Sequence, residues 1–125
     1  CPRSVPQSNL MAMVFESLAA GIIPVIGIPT PSLSFSALPI PADRPPEVLA
    51  AEREAYHSWL LRFCAGFGIT AGDFRSTLSG GTPETLYLDG VHPTPLGHSK
   101  MADEFVAQLR PLLDSMPHCQ AEERT

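Results

Sequence analysis

The stretch Ile22-Ile23-Pro24-Val25-Ile26-Gly27-Ile28 decides the fold class of this chain of 125 residues. It is short, rich in β-branched residues and apolar at odd and even positions alike, which is typical of a parallel strand buried on both faces. Proline cannot donate a backbone hydrogen bond to a neighbouring strand, so we expect Pro24 to lie at the start of the strand.

A helix is predicted before this strand, from about Ser8 to about Ala20. Ser8 is a favourable N-cap, and Gly21 ends the helix. The apolar side chains of the segment recur at the spacing of a helix. They are Leu10, Met11, Val14, Phe15 and Leu18.

A second helix is predicted after the strand, beyond a loop over residues 29–46 that is rich in proline and serine. We expect this helix to begin at Pro45 or Pro46, to be capped by Asp43 and to end near Ala65. Its apolar face consists of Leu49, Tyr56, Trp59, Leu60 and Phe63.

Residues 69–74 predict a second short strand, followed by a loop over residues 75–84 and a last helix. That helix begins near Pro95 with Thr94 as its cap, since proline is favourable where the N–H groups are unpaired anyway. Its apolar face consists of Met101, Phe105, Leu109 and Leu112. The order helix, strand, helix, strand, helix predicts an α/β layered domain in which a right-handed crossover joins two parallel strands.

Two strands leave an apolar sheet edge without a partner, and such an edge tends to pair with another chain. We therefore expect this chain to bind a polypeptide that supplies further strands, or to associate with itself. The net charge of −5, with scattered Lys and Arg, argues against a nucleic-acid surface. No apolar run approaches the roughly 18 residues that cross a bilayer, so no membrane span is expected.

The segment with the clearest chemical content is Asp89-Gly90-Val91-His92-Pro93, just before the last helix. An imidazole that acts as a base towards a serine hydroxyl needs one ring nitrogen free and the other held by an acceptor. A tight turn through Gly90 can place the Asp89 carboxylate against the Nδ1–H group of His92, which leaves Nε2 free. The nearby helix N-terminus disfavours an imidazolium, and the carboxylate offsets that effect.

This segment, followed by Gly97-His98 and an amphipathic helix, resembles the last sequence block of the SGNH (GDSL-type) serine ester hydrolases. Residues 20–31 resemble a strand and loop of that family, and residues 54–74 resemble its next helix and strand. The resemblance implies a three-layer α/β/α fold of the flavodoxin-like kind. Residues 1–125 would be the C-terminal part of one such domain, with a disordered tail over 117–125.

The resemblance also implies hydrolysis of carboxylic esters by a Ser-His-Asp triad, with His92 as base, Asp89 as its orienting partner and no cofactor or metal. Family substrates range from short-chain esters and lysophospholipids to acetylated sugars. The family's nucleophile lies in a Gly-Asp-Ser block, and an oxyanion donor lies in a Gly-x-Asn-Asp block. Neither block occurs here, since Gly72-Asp73 is followed by Phe74 and Asn9 is the single asparagine.

The missing nucleophile block leaves two hypotheses. In the first, another polypeptide supplies the N-terminal half with the serine, and the isolated chain is inactive. In the second, the chain is a non-catalytic interaction module that self-associates through its open sheet edge.

The other histidines have simpler interpretations. His98 lies in the start of the last helix, where a packing or capping role is expected. His57 lies at the edge of a helical apolar face and His118 in the tail, and both are expected to be solvated.

The loop over residues 29–46 contains further candidates. Its serines could replace the missing nucleophile, but a loop serine lacks the strained strand-to-helix turn that exposes a nucleophile. These serines are Ser32, Ser34 and Ser36. Leu33 and Phe35 either line an acyl pocket or cover the helix beneath them.

Three cysteines, Cys1, Cys64 and Cys119, share no metal-ligand spacing and imply no complete disulfide framework. Cys64 falls in an apolar helical stretch and is expected to be a buried small hydrophobe. The chain opens without the pattern of a signal peptide. That favours the cytoplasm, whereas secretion would require an upstream signal that has been removed.

Overall fold

The computed structural model describes residues 4–31, 44–80 and 83–117. The described segments contain five helices and two strands. In chain order these are α1 (Ser4–Ala19), β1 (Val25–Ile28), α2 (Pro46–Phe67), β2 (Thr70–Asp73), α3 (Phe74–Ser79), α4 (Pro83–Leu86) and α5 (Pro95–Ser115).

The two strands form a parallel pair in which Val25 is opposite Thr70 and Ile28 is opposite Asp73. Helix α2 connects them, so the predicted β-α-β unit is confirmed. Pro24 directly precedes β1, as its missing N–H group predicts. Among the described residues each strand pairs on one side only, so the sheet has two open edges.

One face of the sheet carries the main hydrophobic core. Ile26 and Ile28 of β1 point into it and are almost completely buried. Helices α1 and α2 cover this face and contribute the remaining buried residues. These are Val14, Leu60, Phe63 and Cys64, with the rings of Trp59 and Phe63 stacked at 5.2 Å beside them.

The opposite face is lined by two glycines, Gly27 and Gly72, which leave room for aromatic rings. A Cβ atom at Gly27 would lie 2.8 Å from the Phe74 ring, and one at Gly72 would lie 3.2 Å from the Phe105 ring. Phe74 and Phe105 stack on each other at 5.3 Å, so α3 and α5 cover this face. The chain is therefore a three-layer α/β/α structure, and the predicted fold class is confirmed.

Three predicted boundaries differ from the structure. Helix α1 begins at Ser4 instead of Ser8, because proline at position 6 falls in the first turn, where its missing N–H group costs nothing. The loop predicted over residues 75–84 contains all of α3 except its first residue, Phe74, and also the start of α4. The Asp73 side chain caps α3 by accepting a hydrogen bond of 3.1 Å from the Ser76 N–H group.

Helix α2 also runs two residues past its predicted end and stops at Gly68, which adopts the left-handed conformation with φ of 64°. The predicted cap Asp43, the serines and apolar residues of the loop, and the tail beyond Pro117 lie outside the described residues. In the described part of the chain, none of the helices has the length and apolar character needed to cross a bilayer.

Candidate functional site

The Asp89–His92 segment forms a closed loop at the start of α5. We call residues 87–93 the dyad loop. Tyr87 and Pro93 pair in antiparallel fashion across its base. The Leu88 N–H group donates to the His92 carbonyl at 2.8 Å, and the Thr94 N–H group donates to the Leu86 carbonyl at 2.9 Å. These bonds fix the backbone on both sides of the two candidate catalytic residues.

Asp89 accepts three hydrogen bonds from within the loop. Its Oδ1 atom accepts from the N–H groups of Val91 at 2.9 Å and His92 at 2.8 Å. Its Oδ2 atom lies 2.6 Å from Nδ1 of His92. Gly90 has φ of 82°, a conformation that favours glycine, so it makes this tight turn possible. The structure therefore brings together the two residues that the sequence singled out.

These bonds hold the pKa of Asp89 well below its usual range, at about 2. The His92 N–H group has the largest effect, followed by the His92 ring and the Val91 N–H group. Asp89 is thus ionised at neutral pH and accepts from Nδ1–H, which leaves the lone pair of a neutral imidazole on Nε2. The His92 side chain is 68% exposed, and Nε2 has no hydrogen-bond partner among the described residues.

The lowered pKa of Asp89 predicts the pH range in which the dyad loop loses the stabilisation that the ionised carboxylate provides. An ionised Asp89 stabilises the loop above its unfolded pKa of about 4, and this contribution is lost as the pH falls through about 2. We expect the NMR shifts of the Val91 and His92 amides to titrate with a midpoint near 2. In the control His92→Ala the midpoint should rise but stay below the usual value, because the backbone bonds remain. A midpoint near 4 in the unsubstituted chain would contradict the geometry.

The base of the dyad loop is anchored in a second hydrophobic cluster. Leu86 and Tyr87 are buried there with Leu78, and Met101 packs against them. The Tyr87 hydroxyl donates to the Pro31 carbonyl at 2.9 Å. Pro31 follows the carboxyl end of β1, which is the end where open α/β sheets bind their ligands. The loop is therefore held beside that end of the sheet.

Gly97, the one buried residue of α5, allows the helix to approach the loop closely. A Cβ atom there would lie 2.7 Å from the Leu86 carbonyl oxygen and 3.0 Å from Cβ of Pro93. The Thr94 side chain caps the helix by accepting from the Gly97 N–H group at 3.2 Å, which confirms the predicted cap. Its hydroxyl also donates to the Thr85 carbonyl at 2.7 Å.

The close approach predicts that Gly97→Ala destabilises the fold by about 1–3 kcal/mol, the usual cost of overpacking, because the contacted atom is backbone and cannot swing away. Urea unfolding measures the change. The control is Gly66→Ala in α2, where an added Cβ meets nothing within 4 Å. That substitution should instead stabilise by up to about 1 kcal/mol through helix propensity. Equal effects of the two substitutions would contradict the packing at Gly97.

The remaining histidines do not join the dyad. His98 lies in the first turn of α5 with an exposed side chain, so the expected packing role is not seen, and its N–H group donates to the Thr94 carbonyl. The prediction that His57 is solvated was wrong, because its side chain is only 2% exposed. Burial, with Arg53 and Arg75 nearby, lowers the pKa of His57. His118 lies outside the described residues.

Four of the described serine hydroxyls form hydrogen bonds away from His92. The hydroxyls of Ser17, Ser79 and Ser115 donate to carbonyls of their own helices, and that of Ser76 donates to Asp73. No described serine hydroxyl forms a hydrogen bond with the imidazole. Cys64 is buried as predicted, and burial raises the pKa of its thiol. The described residues contain no cluster of side chains that could hold a metal ion.

Comparisons with known proteins show a similarity at the level of structure. No protein-family model matches the sequence, and no curated protein matches it. Among solved structures, the esterase domain of the ZfL2-1 ORF1 protein from the zebrafish ZfL2-1 retrotransposon is similar, with a TM-score of 0.68 and 16% sequence identity. The match covers 89% of this chain and 61% of that chain. At this identity the similarity shows the fold alone, an α/β layered fold that the two chains share.

Proposed function

We propose that this chain is the part of a serine ester hydrolase of the SGNH type that supplies the general base and its orienting carboxylate. The observation that carries the proposal is the Asp89–His92 contact of 2.6 Å, in a loop where Asp89 also accepts two backbone hydrogen bonds. An ionised carboxylate on Nδ1 and an exposed Nε2 are what a base for a serine hydroxyl requires. The similarity in fold to an esterase domain supports the same reaction class.

In the proposed reaction, Nε2 of His92 takes the proton of the serine hydroxyl while the serine oxygen attacks the ester carbonyl carbon. The bond to the alcohol oxygen then breaks, and His92 returns the proton to that oxygen. Asp89 keeps the ring in the required tautomer and stabilises the imidazolium. Water repeats the sequence on the acyl-enzyme and releases the acid. The reaction requires no cofactor.

The nucleophile is proposed to come from a polypeptide that contains the first strands of the same domain. Three observations support this: the sequence lacks the Gly-Asp-Ser block, β1 has an open edge among the described residues, and the chain spans 61% of the length of the similar esterase domain. Residues 1–125 would then be the C-terminal part of one hydrolase domain.

The chain alone should show no turnover of a short acyl ester above a buffer blank, because a base without its nucleophile has little effect on the reaction. It should also form dimers or larger species at micromolar concentration through its open sheet edges. Ester assays and sedimentation test both statements. A compact monomer, or turnover by the 125-residue chain, would contradict the proposal.

The second candidate function is a non-catalytic interaction module. The observation that favours it is a set of exposed large apolar side chains just before β1 in the chain. They are Leu18, Ile22 and Ile23. The two candidates differ in one result. Addition of the nucleophile-bearing polypeptide should produce ester turnover if the chain belongs to an enzyme, and none if it is an interaction module.

A further inference from the structure

We infer that Leu88 determines substrate specificity by contacting an apolar alcohol group of the ester beside His92. This inference rests on the proposed function. It concerns a side chain to which neither the sequence pattern nor the proposed triad gives a role.

Leu88 and His92 are the next residues along the two segments from the bridged pair Tyr87 and Pro93, and the Leu88 N–H group donates to the His92 carbonyl at 2.8 Å. Residues that face each other in an antiparallel pair direct their side chains to the same side, with Cβ atoms about 4.5–5.5 Å apart. The adjoining pair, Tyr87 and Pro93, points to the opposite side, where Tyr87 is 4% exposed. The Leu88 side chain therefore stands beside the imidazole on the exposed side of the loop.

Leu88 is 73% exposed, the highest value among the exposed large hydrophobic residues of the described segments. Its backbone is fixed by the hydrogen bond to His92, so the apolar side chain has a defined place next to the base. Water contact with apolar surface is unfavourable in proportion to its area, and a ligand that covers that surface binds more tightly. Leu88 thus offers apolar contact area at the point where the ester reacts.

From its position beside His92, Leu88 contacts the alcohol part of the ester and not the acyl part. His92 Nε2 delivers its proton to the alcohol oxygen, so this oxygen lies within hydrogen-bond distance of the ring when the bond to the acyl carbon breaks. The carbon chain on that oxygen then lies alongside the imidazole, where Leu88 stands. The acyl chain extends from the carbonyl carbon, which is bonded to the serine.

The test uses the active esterase that contains this chain and the nucleophile-bearing polypeptide. The substrates are acetate esters of methyl, butyl and hexyl alcohol, and methyl esters of butanoic and hexanoic acid. We expect kcat/KM to rise about two- to fourfold per methylene along the alcohol series, the effect of a partly to fully buried methylene. The polar isostere Leu88→Asn should remove that rise and leave the dependence on acyl length unchanged. The control Leu113→Asn, at a side chain 57% exposed near the end of α5, should keep both dependences.

Three other outcomes overturn the inference, and they are distinguishable. If Leu88→Asn keeps the alcohol dependence while His92→Ala abolishes turnover, the inference fails and the proposed function stands. If Leu88→Asn prevents assembly with the nucleophile-bearing polypeptide, Leu88 packs against protein and not substrate. If no turnover depends on His92, the proposed function fails and the inference fails with it.

Discussion

Replacement of His92 by alanine should lower kcat of the assembled esterase by about three to five orders of magnitude, the usual effect of removing a triad base. The physical reason is that the serine hydroxyl then has no acceptor for its proton and the leaving alcohol has no donor. Nε2 of His92 is the free atom that the structure offers for both steps. Steady-state kinetics on a short acyl ester measure the loss.

Asp89→Asn should lower kcat less, by about two to four orders of magnitude. The His92 ring remains in this variant but loses its tautomer control and its ionic partner. The matched control is His98→Ala, six residues further on, where the side chain is exposed and no hydrogen bond among the described residues joins its ring to Asp89 or His92. It should change kcat by less than about tenfold, since surface substitutions leave the fold intact. A loss in His98→Ala as large as in His92→Ala, in a folded protein, would show that the dyad is structural.

The second large effect is a loss of folding stability when a core side chain is shortened. Leu60→Ala should lower the free energy of unfolding by about 2–5 kcal/mol, because it removes a buried side chain and leaves a cavity. Leu60 is 2% exposed and packs with Ile28 and Phe63 between α2 and the sheet. Urea unfolding at matched protein concentrations measures the change, since association shifts apparent stability.

Leu113→Ala is the matched control for Leu60→Ala. Its side chain is 57% exposed, so the substitution should change the free energy of unfolding by less than about 0.5 kcal/mol. Equal losses in the two variants would mean that the core does not lie between α2 and the sheet.

The parts of the structure that sequence predicted depend on local patterns. A run of apolar residues indicates the buried strand that ends at Ile28. The dyad is indicated by an aspartate and a histidine three positions apart with a glycine between them. The Thr94 cap is equally local, because its partner is the N–H group of Gly97. In each case the residues concerned are close in the chain, so their local arrangement can be predicted from the sequence alone.

The features that sequence missed depend on contacts between distant residues. His57 is buried on α2 near Arg75 of α3, which forms an ion pair with Glu54. The bond from Tyr87 to the Pro31 carbonyl joins residues 56 positions apart. Tyr87, beside the Asp89–His92 segment, was the available signal for this bond, because a buried tyrosine hydroxyl usually has a hydrogen-bond partner.

The central claim is that the Asp89–His92 pair activates a serine located outside these 125 residues. The most direct measurement is to treat the assembled esterase with a fluorophosphonate and to locate the modified serine by peptide mass. We expect one modified serine, outside the residues of this chain, and no modification in His92→Ala. Modification of a serine within the chain, such as Ser34, or modification that persists in His92→Ala, would contradict it.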